Sequence, residues 1–156
     1  MTDISSLRRI LSEYKIVAMV GLSDDWSRPS NFAAKYLLDR GFKVIPVNPK
    51  YDEILGQKCY PDLESIPEAV DIVDLFQRPD RIEPFVDSAI AIGAKVVWMQ
   101  LGIVNDEAAQ KARDAGLEVV MDHCTKIEYA RLFGGLNTIG VNTKIISSKR
   151  PLFINL

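Results

Sequence analysis

Five short apolar runs recur along the chain: Ile16 to Val20, Phe42 to Val47, Asp71 to Phe76, Lys95 to Leu101 and Leu117 to Met121. Each is nearly continuous in Val, Ile, Leu, Met and Phe, as expected of strands buried on both faces. The intervening segments are amphipathic. Pro29 to Gly41, the stretch from Pro79-Asp80 to Gly93, Asn105 to Ala115 and Ile127 to Phe133 place apolar residues at helical spacing. Asn105 predicts an N-cap and Gly116 a helix stop. An additional helix is predicted over Ser5 to Tyr14 from Leu7, Ile10 and Leu11, with Ser5 or Ser6 as its N-cap. Gly56, Pro61 and Pro67 interrupt Lys50 to Ile66, which reads as a structured loop with a short helical turn around Asp62 to Ser65. Strands alternating with helices predict an α/β fold: a three-layer, doubly wound, five-stranded parallel sheet with helices on both faces. Residues 1–156 form one domain in this reading, with a helix inside 1–14 and a tail over 137–156.

The stretch from Ile16 to Lys50 organises the rest. It is a strand, a glycine break at Gly21, a polar loop, a helix and a second strand, the outline of a Rossmann-like βαβ unit. Gly21 permits a tight turn, and the helix opening at Pro29-Ser30 presents unpaired N–H groups that favour an anion. Ser23, Arg28, Ser30 and Asn31 add donors, so a phosphate is expected here. The loop lacks both G-x-x-x-x-G-K-[ST] and G-x-G-x-x-G, because Ser23 stands where the second glycine would be. After the second strand come Asn48-Pro49-Lys50, with no carboxylate until Asp52 to accept from a ribose hydroxyl. Lys50 instead suits a second phosphate. Two phosphate positions fit coenzyme A or NADP. Ligands on doubly wound sheets bind at the strands' carboxyl ends. That rule gathers Gly21, Leu22, Ser23, Arg28, Pro29 and Ser30 with Asn48, Pro49 and Lys50, and adds Phe76, Arg78, Gln100, Gly102 and Cys124. Tyr51 and Tyr60 are each open to two readings, stacking on an adenine or packing.

Several motifs together carry a family resemblance. Gly21-x-Ser23 with Arg28-Pro29-Ser30, then Gly41-Phe42-x-Val44-x-Pro46-Val47-Asn48-Pro49, resembles the small stand-alone CoA-binding proteins. These are similar to the N-terminal CoA-binding domain of the succinyl-CoA synthetase alpha subunit. Gly56-x-x-Cys59-Tyr60-Pro61, Val73-Asp74-Leu75-Phe76-x-x-Pro79 and Gly93-Ala94-Lys95-x-Val97-Trp98-x-Gln100 extend the similarity towards Cys124 and Arg131-Leu132. Relatives commonly place Arg before the cysteine, where this chain has His123. The resemblance implies coenzyme A or an acyl-CoA as ligand, and a sensor, carrier or partner-dependent module without a reaction of its own. The alternative is an NADP-dependent oxidoreductase, or a small CoA-dependent or thiol-redox enzyme using Cys124.

Composition narrows the surroundings of that reading. The chain has 156 residues, 47% hydrophobic and 26% charged, enough for one domain with a substantial core. A net charge of −2 gives no general nucleic-acid surface. No apolar run spans a membrane, and the N-terminus has no secretory pattern, so a cytoplasmic protein is expected. Two distant cysteines and one histidine exclude a disulfide framework and a histidine-rich metal site. Monomer and small homo-oligomer both remain open. The tail, basic at Lys149-Arg150 and apolar at its end, suits burial on the body or on a protein partner.

Candidate chemistry is sparse. Cys124 follows the fifth strand and precedes a helix whose N-terminus is expected to lower its thiol pKa; the competing reading is an inert buried cysteine. Cys59 lies in a loop. His123 is a possible assistant to the thiol, or simply structural. Asp71, Asp74 and Asp122 sit on or beside strands without forming an evident acid–base pair. A ligand site without a catalytic set is the expectation.

Overall fold

Alternation along each strand decides the layers. The computed structural model describes residues 3–133, with five parallel strands in one sheet: β1 (Ile16–Val20), β2 (Lys43–Val47), β5 (Ile72–Leu75), β6 (Val96–Met99) and β7 (Glu118–Val120). Successive side chains leave opposite faces of a strand. Ala18, Val20, Val73, Leu75, Val97 and Met99 therefore face one layer, where Val86, Ala89, Ala108 and Ala112 of α3 (Glu83–Ala91) and α4 (Asp106–Asp114) cover them. Val17, Met19, Ile72, Val96 and Trp98 face the other. There they meet α1 (Ile4–Glu13), α2 (Pro29–Asp39) and α5 (Thr125–Phe133). The three-layer doubly wound fold is as expected.

The strand order β2-β1-β5-β6-β7 reverses between β1 and β5. Chain direction across the sheet changes there, and loops leaving the two strands diverge to open a crevice. In register, Met19, Asp74 and Trp98 lie side by side across β1, β5 and β6. Asp74 is thus a carboxyl within the apolar α1–α2–α5 layer, wholly buried.

Element boundaries differ from expectation in instructive places. Asp3, rather than Ser5 or Ser6, caps α1, its Oδ1 accepting from the Ser6 N–H at 2.7 Å. The loop over Lys50 to Ile66 contains a small antiparallel ribbon, β3 (Glu53–Ile54) with β4 (Gln57–Lys58). Its turn places both Leu55 and Gly56 at positive φ, a geometry usually signalled by Asn-Gly. Asp62 to Ser65 is a turn and not a helix, closed by the Asp62 carboxylate accepting from Ser65 N–H and hydroxyl. The ribbon continues to Tyr60, which bridges to Val47 and so covers the edge strand β2. The segment after β5 starts as a 3-10 turn over Pro79–Arg81 before α3 begins. The last helix begins at Thr125, two residues earlier than expected. Asn105 does cap α4, accepting from Ala108 N–H at 3.0 Å. The expected tail lies outside the described residues. No helix among the described residues is long and apolar enough to cross a membrane.

Candidate functional site: a basic groove at the switch point

A groove of about 1110 Å³ opens at the carboxyl ends of the strands. Of the residues expected there, Gly21, Ser23, Arg28, Pro29, Ser30, Asn48, Lys50, Phe76, Arg78, Gln100 and Cys124 line it. Leu22, Pro49 and Gly102 do not. Leu22 is buried in the α1–α2–α5 core and offers only its carbonyl, which accepts from Asn48 Nδ2 at 3.1 Å. Pro49 is exposed beside the groove. Gly102 makes an exposed turn whose N–H is accepted by Asp122 Oδ1 at 2.6 Å.

Gly21 is required by two independent constraints. Its φ is +85°, and a β-carbon there would collide with the Phe76 carbonyl oxygen and lie 2.8 Å from Gln77 Nε2. The loops after β1 and β5 touch at this point, which fixes the groove's floor. The loop from Gly21 to Ser30 is tied down by its own side chains. Ser30 Oγ accepts from Ser23 N–H at 3.1 Å, and Asn31 Nδ2 donates to the Ser23 carbonyl at 2.9 Å. Asn31, expected to face an anion, is therefore a loop anchor and is buried. At the start of α2 no side chain caps the helix, and Pro29 occupies its first turn. That end, with no acidic residue in the first turn, keeps its partial positive charge.

The lining carries five cations, Arg28, Lys50, Arg78, Arg81 and Lys126, and among the described residues no lining carboxylate. Arg28 and Arg78 lean on the exposed Asp25 and Asp80, at 3.9 and 3.3 Å. Lys126 stands 5.8 Å from the centre of the Phe32 ring, which is half exposed at the rim. Arg81, Lys126 and Phe32 also line the groove and were not expected there from the sequence. Arg81 closes the 3-10 turn after β5 and Lys126 is the second residue of α5, positions that strand-end counting does not reach. Of the two tyrosines, Tyr51 lines the groove and Tyr60 packs against the core.

Cys124 occupies the groove's other end. The backbone N–H groups of Lys126 and Ile127 point at its sulfur, as a helix N-terminus should. Burial nevertheless outweighs them and raises the thiol pKa, with Asp74's charge pushing the same way. The expected lowering is thus overturned: a helix end is worth less than the desolvation of a thiolate here. His123 Nδ1 lies 2.7 Å from the Met121 carbonyl, and His123 does not line the groove. Cys59 is buried against the groove's support, its Sγ 3.3 Å from the Asn48 carbonyl.

Behind the floor, Asp74 accepts from Gln100 Nε2 and, at 3.3 Å, from Thr125 Oγ1. Burial pushes this carboxyl up to about 7, against the lowering effect of the two hydrogen bonds. The folded chain then holds, from about pH 4 to pH 7, a proton the unfolded chain has released. Rising pH removes stability across that window by at most about 1.4 kcal/mol per pH unit. Denaturant titrations at pH 5 and pH 8 should show Asp74→Asn gaining about 2–3 kcal/mol on the wild type between them. Parallel profiles for the two proteins would place the Asp74 proton elsewhere.

Comparison with known proteins gives the chain its family. Residues 15–130 match the CoA binding domain family. The chain belongs to that family. The Bacillus subtilis (strain 168) protein YneT is 38% identical over 126 residues, covering 81% of this chain and 93% of YneT. The ADP-forming acetate–CoA ligase II of Archaeoglobus fulgidus is 33% identical over 130 residues, covering 80% of this chain but 19% of the ligase. A solved structure of a protein from Pyrococcus horikoshii OT3 superposes with a TM-score of 0.83 at 46% identity. It covers 85% of this chain and 94% of that one. The match spans most of YneT but only about a fifth of the ligase.

Proposed function

We propose that this protein binds coenzyme A or an acyl-CoA in the switch-point groove and acts as a binding module: a sensor, a carrier, or the CoA-holding partner of another protein. The observation carrying the reading is the groove's charge pattern, five lining cations without a lining carboxylate, around an uncapped helix end and a glycine that admits close backbone approach. Such a surface suits a ligand with several phosphates. In this reading Arg28, Ser30 and the α2 N-terminus hold the diphosphate, and Lys50 meets the ribose 3′-phosphate. Tyr51 offers a face to the adenine, and the pantetheine arm runs past Phe76 and Gln100 to Cys124. Since the ligase match spans 19% of that enzyme, the role proposed is that of the CoA-holding part, with any acyl transfer needing a partner.

Calorimetric titration with CoA, acetyl-CoA and NADP tests the reading. CoA is expected to bind and NADP to compete poorly; tight NADP binding without CoA binding would overturn it. Lys50→Ala should weaken CoA about tenfold, the loss of one charge-assisted contact, while leaving dephospho-CoA nearly unchanged. Arg28→Ala should weaken both ligands. Equal losses of the two ligands in Lys50→Ala would move the 3′-phosphate away from that lysine.

A further inference from the structure

The groove floor contains one polar group whose orientation is dictated from behind. Gln100 is 4% exposed and lines the groove between the β5 loop and Cys124. Its Nε2 donates to Asp74 Oδ1 and lies 3.4 Å from Thr125 Oγ1, while Thr125 in turn donates to Asp74 Oδ2. Above about pH 7 Asp74 is ionised and its carboxylate can only accept, so there the amide edge facing it is the NH₂ and both its hydrogens are engaged. The amide oxygen is left pointing the other way. No described group donates to Oε1, yet this oxygen is not among the fully enclosed unpartnered atoms, so it opens to the groove. A nearly buried acceptor without a partner calls for a donor from the ligand.

We propose that Gln100, fixed by Asp74 and Thr125, is a specificity-determining residue that accepts a hydrogen bond from the amide N–H next to the thiol on the ligand's arm. The inference rests on the CoA reading above. Thr125, which Gln100 contacts, directly follows Cys124 in sequence, so an arm whose sulfur approaches Cys124 carries its nearest amide past Gln100. That amide is separated from the thiol by only an ethylene. A nucleotide without the arm makes no use of the acceptor. Phosphates therefore provide attraction at one end of the groove, and Gln100 selects the arm at the other.

The test compares ligands first on the unaltered protein, at pH 8, where Asp74 is ionised. An analogue with the thiol-proximal amide replaced by an ester sets an oxygen against Oε1 and should bind roughly tenfold weaker. The same replacement at the inner amide should change little. Gln100→Met, checked for folding by its thermal melt, should lose about tenfold for CoA, become indifferent to the ester, and bind adenosine 3′-phosphate 5′-diphosphate as before. Should the variant not fold, the two-ester comparison on the wild type decides alone. Equal losses at both amides, or none, would overturn the inference while leaving CoA binding intact. Absence of CoA binding to the wild type would overturn the underlying reading and this inference with it.

Discussion

Gly21→Ala should destabilise the protein by about 3 kcal/mol, combining left-handed backbone strain with a collision against the backbone of the neighbouring loop. The added carbon meets the Phe76 carbonyl oxygen, a backbone atom that cannot rotate away, and Gln77 Nε2 at 2.8 Å. Gly41 provides the control. Its φ is +87°, but nothing lies within 4 Å of the corresponding position, so Gly41→Ala carries the conformational penalty alone, about 1–2 kcal/mol. Urea denaturation of both variants isolates the contact term. The consequence for function is larger than the stability loss suggests. Relieving the collision means moving the loop after β5 away from the loop after β1, which widens the crevice where the diphosphate is proposed to lie. CoA affinity in the folded fraction of Gly21→Ala should fall at least tenfold. Equal stability of the Gly21 and Gly41 variants would show that the two loops do not touch.

Treatment with CoA disulfide should attach one CoA half to Cys124. The Cys124 thiolate attacks a disulfide sulfur, forming the protein–CoA disulfide and releasing the other half as CoA thiolate. Because burial raises this thiol's pKa, the reaction should be slow at neutral pH and accelerate about tenfold per pH unit until the thiol ionises. Intact-mass spectrometry reads the adduct directly. Cys124→Ser should abolish it, and Cys59→Ser should leave it unchanged, because Cys59 is buried and its sulfur is turned to the Asn48 carbonyl. A labelled Cys59 beside an unmodified Cys124 would place the arm's thiol elsewhere, as would a rate independent of pH. This outcome is all or none, which makes it the sharper of the two experiments.

The two experiments draw on different parts of the chain's information. The five apolar runs, the glycine break at Gly21 and the Asn105 cap were legible because each is local: strand burial, a turn and a cap are decided by neighbours in sequence. The gathering of Gly21, Lys50, Phe76, Gln100 and Cys124 was legible at one remove, since parallel strands bring all their carboxyl ends to one edge. The Leu55-Gly56 hairpin was not, because leucine carries no signal for the positive φ that the ribbon imposes on it. Nor was the direction of the Cys124 shift. Sequence shows a helix start after the cysteine, but the amount of solvent removed from a thiolate depends on what packs over it.

Asp74 is the clearest case of what only the tertiary structure decided. In sequence it is one polar residue in an apolar run, compatible with a strand end, a surface position or a core. Its burial follows from the register that sets it between Met19 and Trp98, beneath the start of α5. Its partners, Gln100 and Thr125, are 26 and 51 residues away along the chain. By itself the sequence determined the layers, the strand edge that carries the groove and three of the groove's five cations, all consequences of periodicity and turn chemistry. The orientation of Gln100, the raised Asp74 and Cys124, and the cations contributed by Arg81 and Lys126 were decided by packing, because hydrogen bonding and desolvation act through space between residues that periodicity does not relate.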